Sequence, residues 1–229
     1  AMQDLDIRGA GNLLGAEQSG FIADLGYETY QKILSEAVHE LKTDEFSELY
    51  SDAQSDGAIS GEQFVEECTV ESDLELLLPA NYVTGSSERM LLYRELDGLT
   101  LDTEVADFRT RLQDRFGAIP PETEELLRIV PLRRIAVRLG IEKVYLKGGR
   151  MTLFFISNDN SPYFQSEAFG KMIEYMMKYP RRCDLREQTG KRSMLIKSVP
   201  DTETAVSVLQ EITTSTDFVA RDSYQAITN

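Results

Sequence analysis

Apolar residues in the first half of the chain recur every three or four positions, a spacing that predicts amphipathic helices. Gly117 provides a stop for one of them, and Pro121 presets the first turn of the next. The predicted helices cover residues 26–42, 87–96, 102–116 and 120–139.

The first of these helices has a tyrosine- and leucine-rich face that must be buried against something. It follows a loop and precedes a polar segment, so we expect this face to dock on another domain. The residues predicted to make that contact are Tyr27, Tyr30, Leu34 and Leu41.

Alternating apolar and polar residues in the second half predict two β-hairpins. Their two-residue turns are Gly148-Gly149 and residues 189–190. A helix over residues 165–179 separates them, and a last helix capped by Asp201 extends to residue 213. A helical part followed by hairpin, helix, hairpin and helix predicts an α+β fold with an antiparallel sheet, preceded by a loop and a long extra-domain helix.

The segment between the two halves is polar and then extended. Residues 43–62 (TDEFSELYSDAQSDGAISGE) are rich in Ser, Asp and Gly, which is typical of a linker. Residues 64–79 predict a strand that ends at Pro79. We therefore expect a loop and helix in residues 1–42, an acidic linker in 43–62 and an α+β domain in 63–229.

Negative charge is concentrated in one part of the 229-residue chain, whose net charge is −15. Residues 43–88 contain twelve acids and no base, whereas residues 89–229 are nearly neutral, with twenty acids and twenty-one bases. The acidic segment would repel nucleic-acid phosphates, and it suits a basic protein partner or a solvated linker.

Basic residues cluster twice, over residues 128–150 and residues 178–192. They could form a patch that faces phosphates or acids. We favour a solvated surface balanced by neighbouring acids, because aromatic residues are sparse among them.

The opening stretch, DLDIRGAGNLLGAEQSG over residues 4–20, contains four glycines but no lysine. It lacks the G-x-x-x-x-G-K-[ST] pattern of a P-loop, and the spacing of Gly9, Gly11 and Gly15 does not fit a dinucleotide-binding fingerprint. Glycines permit close backbone approach, while Arg8 and Gln18 can hydrogen-bond a neighbouring element. The stretch therefore suits the sensing of a neighbour's position better than covalent chemistry.

Residues with catalytic or metal-binding potential are scarce. Cys68 and Cys183 lie far apart, and His39 is the single histidine. We expect two buried, reduced thiols and no metal site. The beginning of the chain has no signal-peptide pattern and no apolar run is long enough to span a membrane, which predicts a cytoplasmic protein.

Residues 4–20 closely resemble the translocation motif shared by RecG-type branched-DNA helicases and bacterial transcription-repair coupling factors. The form Ile7-Arg8-Gly-Ala-Gly11, followed by the Gly26-Tyr27 helix, is similar to the coupling factors. The similarity continues at Tyr93-Arg94, at residues 112–117 (LQDRFG) followed by Pro120, and at residues 139–141.

This resemblance implies a C-terminal fragment of a superfamily 2 translocase of double-stranded DNA that removes stalled RNA polymerase and recruits nucleotide excision repair. The motif would relay closure of the motor lobes into movement, and the helix after it would hook back across them. The positions that match the motif are Asp4, Arg8, Gly9, Gly11, Gly15, Gln18, Ser19 and Gly20.

The resemblance also implies partners for the rest of the chain. Its C-terminal domain would pack on the parent protein's own UvrB-like module and mask the surface that recruits UvrA. ATP, Mg²⁺, double-stranded DNA and RNA polymerase would be bound by other parts of the parent, so we expect no enzymatic activity and no cofactor in this chain. Two alternatives are an acidic protein-interaction domain without a motor and the tail of a RecG-type helicase.

Overall fold

The computed structural model describes residues 26–32, 34, 64–158, 160–188 and 190–214. Within these residues the chain forms two compact units. A helical unit contains residues 26–34 and 75–127, and a sheet unit contains residues 64–74 and 128–214. The boundaries predicted near residues 42 and 62 lie outside the described residues, so they stay predictions.

The helical unit contains helices α1 (Ser86–Asp97), α2 (Asp102–Phe116) and α3 (Pro121–Leu127). The predicted bounds of α2 are confirmed. Its first turn is capped by Glu104, whose carboxylate accepts hydrogen bonds from the backbone N–H groups of Thr100 and Leu101 at 2.8 and 2.9 Å. These bonds favour the charged form and lower the pKa of Glu104. The chain leaves the helix at Gly117, whose φ of +88° favours glycine.

The prediction of a single helix over residues 120–139 is wrong. Two helices occupy this range, α3 and α4 (Ile129–Arg138), with a break at Arg128. Pro131 explains the break, because it has no N–H to donate to the Leu127 carbonyl and its ring would clash with that carbonyl in a continuous helix. Proline is tolerated in the first turn of α4.

The sheet unit contains five strands in the order β1-β2-β3-β5-β4. The strands β2 to β5 pair in antiparallel fashion, but β1 is parallel to β2, so the expectation of a wholly antiparallel sheet is wrong. The strands are β1 (Thr69–Ser72), β2 (Ile141–Lys147), β3 (Arg150–Phe155), β4 (Cys183–Gln188) and β5 (Lys191–Lys197).

The strand predicted over residues 64–79 is therefore much shorter. After β1 the chain enters the helical unit, where Leu76 and Leu78 are buried but Leu77 makes only an isolated antiparallel bridge to Gly26. Burial alternates here as it does in a strand, but these residues have no continuous strand partner, which explains why the sequence predicted a longer strand.

One face of the sheet is covered by helices. The strand register aligns Val144, Leu153 and Met194 across three strands, and all three are fully buried. Helix α4 packs on β2 and on α6 (Thr202–Thr214), which in turn packs on α5 (Glu167–Lys178). A short 3-10 helix (Pro162–Gln165) precedes α5. Among the described helices, none is long and apolar enough to cross a membrane.

Candidate functional site

The helical residues 27–32 and 34, here called the anchor helix, are attached to the helical unit by two tyrosines. Tyr27 is 2% exposed and Tyr30 is 5% exposed. The Tyr30 ring stacks on Tyr93 with a centroid distance of 5.6 Å, and the Tyr27 ring lies 6.4 Å from that of Tyr93. The three aromatic rings therefore form one cluster, and each ring–ring contact contributes stabilising free energy in addition to that from the buried apolar area.

A polar triangle closes the edge of this cluster. The Tyr27 hydroxyl donates to Asp97 Oδ1 at 3.1 Å, and Gln31 Nε2 donates to the same oxygen at 2.7 Å and to the Tyr27 hydroxyl at 3.0 Å. The Tyr27 N–H also donates to the Leu76 carbonyl at 2.9 Å. The hydroxyl and the N–H that Tyr27 brings into the interface thus both have partners.

The floor of the cluster is Tyr93, which is 0% exposed. Its hydroxyl accepts a hydrogen bond from the Leu78 N–H at 2.8 Å. Burial raises the pKa of Tyr93 to about 12, although the backbone hydrogen bond and nearby Arg89 lower it. The hydroxyl is therefore neutral and structural. Arg89 is also buried and donates to the Val83 carbonyl at 2.6 Å, which ties α1 to the preceding loop.

Of the predicted site residues, Tyr27, Tyr30 and Leu34 lie within the described part of the chain, and the others lie outside it. Tyr27 and Tyr30 are buried against residues of this chain, whereas Leu34 is 38% exposed. The two rings are thus already buried within the helical unit. Outside the described residues lie Asp4, Arg8, Gly9, Gly11, Gly15, Gln18, Ser19, Gly20 and Leu41, and their roles stay predictions.

Sequence reasoning did not find Asp97 or Gln31. Asp97 bonds to residues 66 and 70 positions away in the chain. Asp97 is the last residue of an amphipathic helix, and Gln31 lies in the predicted first helix. The sequence offered one indication, the spacing of four residues between Tyr27 and Gln31, which places both side chains on the same face of a helix.

The two basic clusters seen in the sequence are redistributed by the fold. Arg128 pairs with Glu203 at 3.2 Å, and Lys178 pairs with Glu211 at 3.0 Å. Arg182 donates to the carbonyls of Lys197 and Ser198. These three have structural partners, and so does Lys143, which pairs with Glu71 at 2.7 Å. Lys143, Lys147 and Arg150 lie on strands of the sheet.

Reactive and metal-binding groups are not assembled in the described part of the chain. Cys68 and Cys183 are free and buried. Burial raises the pKa of Cys68 to about 12 and also raises that of Cys183, so neither thiol is activated as a nucleophile. No group of three or more His, Cys, Asp or Glu side chains suited to a metal ion occurs among the described residues.

Comparisons with known proteins agree on one family. The family model of the TRCF domain matches residues 72–166. The transcription-repair-coupling factor of Rickettsia bellii is 39% identical over 187 residues, which cover 81% of this chain and 15% of that protein. The one from Staphylococcus epidermidis is 36% identical over 148 residues, which cover 65% of this chain and 12% of that protein.

A solved structure of the C-terminal domain of a transcription-repair coupling factor shares the fold, with a TM-score of 0.50 and 15% identity over 64% of this chain and 94% of that chain. The chain spans about one seventh of the length of the Rickettsia bellii relative. The fold is thus that of an α+β C-terminal domain, and the chain belongs to the transcription-repair coupling factor family.

Proposed function

We propose that this chain is the C-terminal part of an ATP-dependent translocase of double-stranded DNA. The parent would remove stalled RNA polymerase and recruit nucleotide excision repair in the cytoplasm. Membership of the transcription-repair coupling factor family supports this, as does the match to only 15% of a relative's length, which leaves room for motor domains. Those domains would hold ATP and Mg²⁺, while this chain would contribute no catalytic group.

The anchor helix carries the first part of the proposal, motor coupling. Gly20 of the glycine-rich stretch is six residues from Gly26, which limits their separation to roughly 20 Å even when fully extended. From Gly26 onward the chain is held by the Tyr27, Tyr30 and Asp97 contacts. A displacement of Arg8 and Gln18 by a motor would therefore pull on a fixed attachment.

The second part of the proposal is regulation of UvrA recruitment. The sheet unit has its own buried core and a fold shared with a coupling-factor C-terminal domain. A unit of this kind can dock and undock as a body. We propose that it packs on the parent's UvrB-like module and masks the UvrA-binding surface until the parent engages RNA polymerase.

Substitution of Arg8 in the full-length protein tests the coupling role. Arg8→Ala should leave DNA-stimulated ATP hydrolysis intact and impair translocation, measured by displacement of a DNA-bound triplex strand. Arg138→Ala, at an exposed position at the end of α4, is the matched control and should change neither. If ATP hydrolysis and translocation fell together in Arg8→Ala, Arg8 would be a catalytic or folding residue and the coupling role would be refuted.

A further inference from the structure

The sheet has a second face, opposite the one that the helices cover. Residues that alternate with the buried core positions point to it, and the strand register arranges them in cross-strand rows. One row contains Lys143, Phe154, Ser193 and Arg186, and a second contains Tyr145, Thr152, Leu195 and Asp184. The third row contains Lys147, Arg150 and Lys197. We call this surface the open sheet face.

Burial distinguishes the two faces on β2 and β3. The core positions Val144, Leu146, Met151 and Leu153 are at most 2% exposed. On the open sheet face, Tyr145 and Phe154 are half-buried, while Lys147 and Arg150 are exposed. The accessible part of this face lies on β2 and β3, because its β5 residues Ser193 and Leu195 are buried, at 7% and 5% exposed. Aromatic rings on this face are thus reachable from solvent.

The open sheet face is basic although the chain as a whole is acidic. Its acids on the strands are the β1 residue Glu71 and the β4 residue Asp184, which pair with Lys143 at 2.7 Å and with Lys197 at 3.0 Å. Asp73, directly after β1, accepts a hydrogen bond from the Gly148 N–H at 2.8 Å in the turn between β2 and β3. Its six bases are Lys143, Lys147, Arg150, Arg186, Lys191 and Lys197. On the strands the bases therefore exceed the acids by four, and by three when Asp73 beside the third row is included.

The third row places positive charges next to each other on neighbouring strands, which is electrostatically unfavourable in the absence of a ligand. Lys147, Arg150 and Lys197 are direct neighbours on three adjacent strands, and like charges directly opposite each other destabilise a sheet. Asp184 offsets the charge of Lys197, so the repulsion is greatest between Lys147 and Arg150. An anionic ligand would relieve this repulsion. The row lies beside the two aromatic residues, so anionic and planar groups of one ligand could bind together.

Tyr145 and Phe154 are diagonal neighbours across β2 and β3, with an expected Cα separation of about 7–8 Å. The Lys143 ammonium lies between them, 6.0 Å from the Tyr145 centroid and 5.9 Å from the Phe154 centroid. These distances are at the outer limit of a cation–π contact, so planar groups can stack on the rings without breaking a strong contact. The Lys143 ammonium, paired with Glu71 at 2.7 Å, would lie beside the ligand.

From this combination we propose that the open sheet face binds single-stranded nucleic acid. Its bases would stack on Tyr145 and Phe154, and its phosphates would pair with Lys147, Arg150 and Lys197. An acidic peptide would satisfy the charges but would leave the two rings without stacking partners. A duplex hides the faces of its bases, which leaves only the phosphate contacts. This inference does not depend on the proposed motor function.

Fluorescence anisotropy with the full 229-residue chain tests the proposal, using labelled oligo-dT and oligo-U of about 12 nucleotides as probes. The net charge of −15 opposes binding, so we expect a Kd on the order of 1–100 µM at about 50 mM salt and much weaker binding at about 200 mM. Lys147→Glu with Arg150→Glu should weaken binding at least ten-fold. It should also reduce the slope of log K against log salt by about 1.4, or about 0.7 for each lost phosphate contact.

The matched control is Arg94→Glu with Arg138→Glu, which changes the net charge equally on exposed helical positions. Phe154→Thr tests stacking, since threonine keeps the strand propensity but removes the ring. It should weaken binding to single strands by roughly ten-fold and leave binding to a duplex of equal length unchanged. Circular dichroism melts of every variant should match the parent chain and so separate loss of binding from loss of folding.

Three results would overturn the proposal. One is absence of binding to both oligonucleotides at about 50 mM salt. Another is equal weakening by the control charge reversal, which would show a net-charge effect without a site. The third is an unchanged affinity in Phe154→Thr together with equal or tighter binding of polyglutamate, which would make the face a site for acidic peptides. Preference for oligo-dT or oligo-U would support the site in either case.

Discussion

Replacement of Gly140 by alanine is expected to destabilise the sheet unit severely. Gly140 ends α4 and leads into β2 with a φ of +69°, in the left-handed region that favours glycine. An added Cβ would lie 2.2 Å from Cε2 and 2.6 Å from Cδ2 of Tyr163. Tyr163 is 0% exposed, and its hydroxyl donates to the Leu139 carbonyl at 2.8 Å, so the ring has no room to retreat.

The magnitude follows from two contributions that a matched variant can separate. Alanine in the left-handed region costs about 1–2 kcal/mol, partly offset by about 0.4–1 kcal/mol of lost freedom in the unfolded chain. Overpacking against Tyr163 adds about 1–3 kcal/mol. Gly149 has a φ of +67° and nothing within 4 Å of an added Cβ, so Gly149→Ala carries only the backbone contribution. The two variants should therefore differ by about 1–3 kcal/mol, or roughly 5- to 150-fold in an opening equilibrium.

Thiol labelling measures this difference in the sheet unit alone. Cys68 and Cys183 both belong to that unit and are 5% and 4% exposed. Their labelling by a disulfide reagent requires opening of the unit, and its rate tracks the opening equilibrium when reclosing is fast. Labelling should be fastest in Gly140→Ala. Equal rates in Gly140→Ala and Gly149→Ala would refute the clash with Tyr163.

Three further predictions concern stability. Asp201 Oδ1 accepts a hydrogen bond from the Thr204 N–H at 2.7 Å and caps α6. Asp201→Ala should therefore lower the free energy of unfolding by about 1 kcal/mol, whereas Asp201→Asn should preserve most of it. Urea titrations of both variants would check this, and equal losses of stability would contradict capping. Tyr27→Phe removes the hydroxyl bonded to Asp97 and should cost about 1 kcal/mol, measured as faster proteolysis of the helical unit, whereas an unchanged rate would show that the ring alone anchors the helix. Hydrogen bonds from Tyr179 and Lys178 hold the pKa of Glu211 below its ordinary value of 4.5, so its stabilising contribution should be present above that value and disappear as the pH falls through the lower folded pKa. The melting temperature of Glu211→Gln should therefore depend less steeply on pH in this range than that of the parent chain. An equal pH dependence of the two melting temperatures would contradict this prediction.

Local patterns in the sequence predicted much of the fold, because helix ends and turns depend on neighbouring residues. The bounds of α2 and the capping of α6 by Asp201 follow from such signals. Pro131 was also visible, but strong apolar periodicity on both sides concealed the break before it. The parallel pairing of β1 with β2 joins residues more than 70 positions apart, and no local pattern specifies it.

The candidate site was harder to predict because its partners come from distant segments. The tyrosine face of the first helix was recognisable, but periodicity shows that a face is buried and does not identify what covers it. Here Tyr93 and Asp97 cover it, from a helix about 65 residues later in the chain. The basic residues likewise gained meaning only through strand register, which places Lys147, Arg150 and Lys197 in one row.

The proposed masking of the UvrA-binding surface is tested by the affinity of the full-length parent protein for UvrA with and without residues 64–229. Pull-down or biolayer interferometry would provide the affinity, and DNA-stimulated ATP hydrolysis would show that the truncated protein remains folded. Truncation should raise UvrA binding, because it removes the proposed masking sheet unit together with residues 75–127 of the helical unit. Unchanged UvrA binding in a truncated protein that still hydrolyses ATP would refute the masking role.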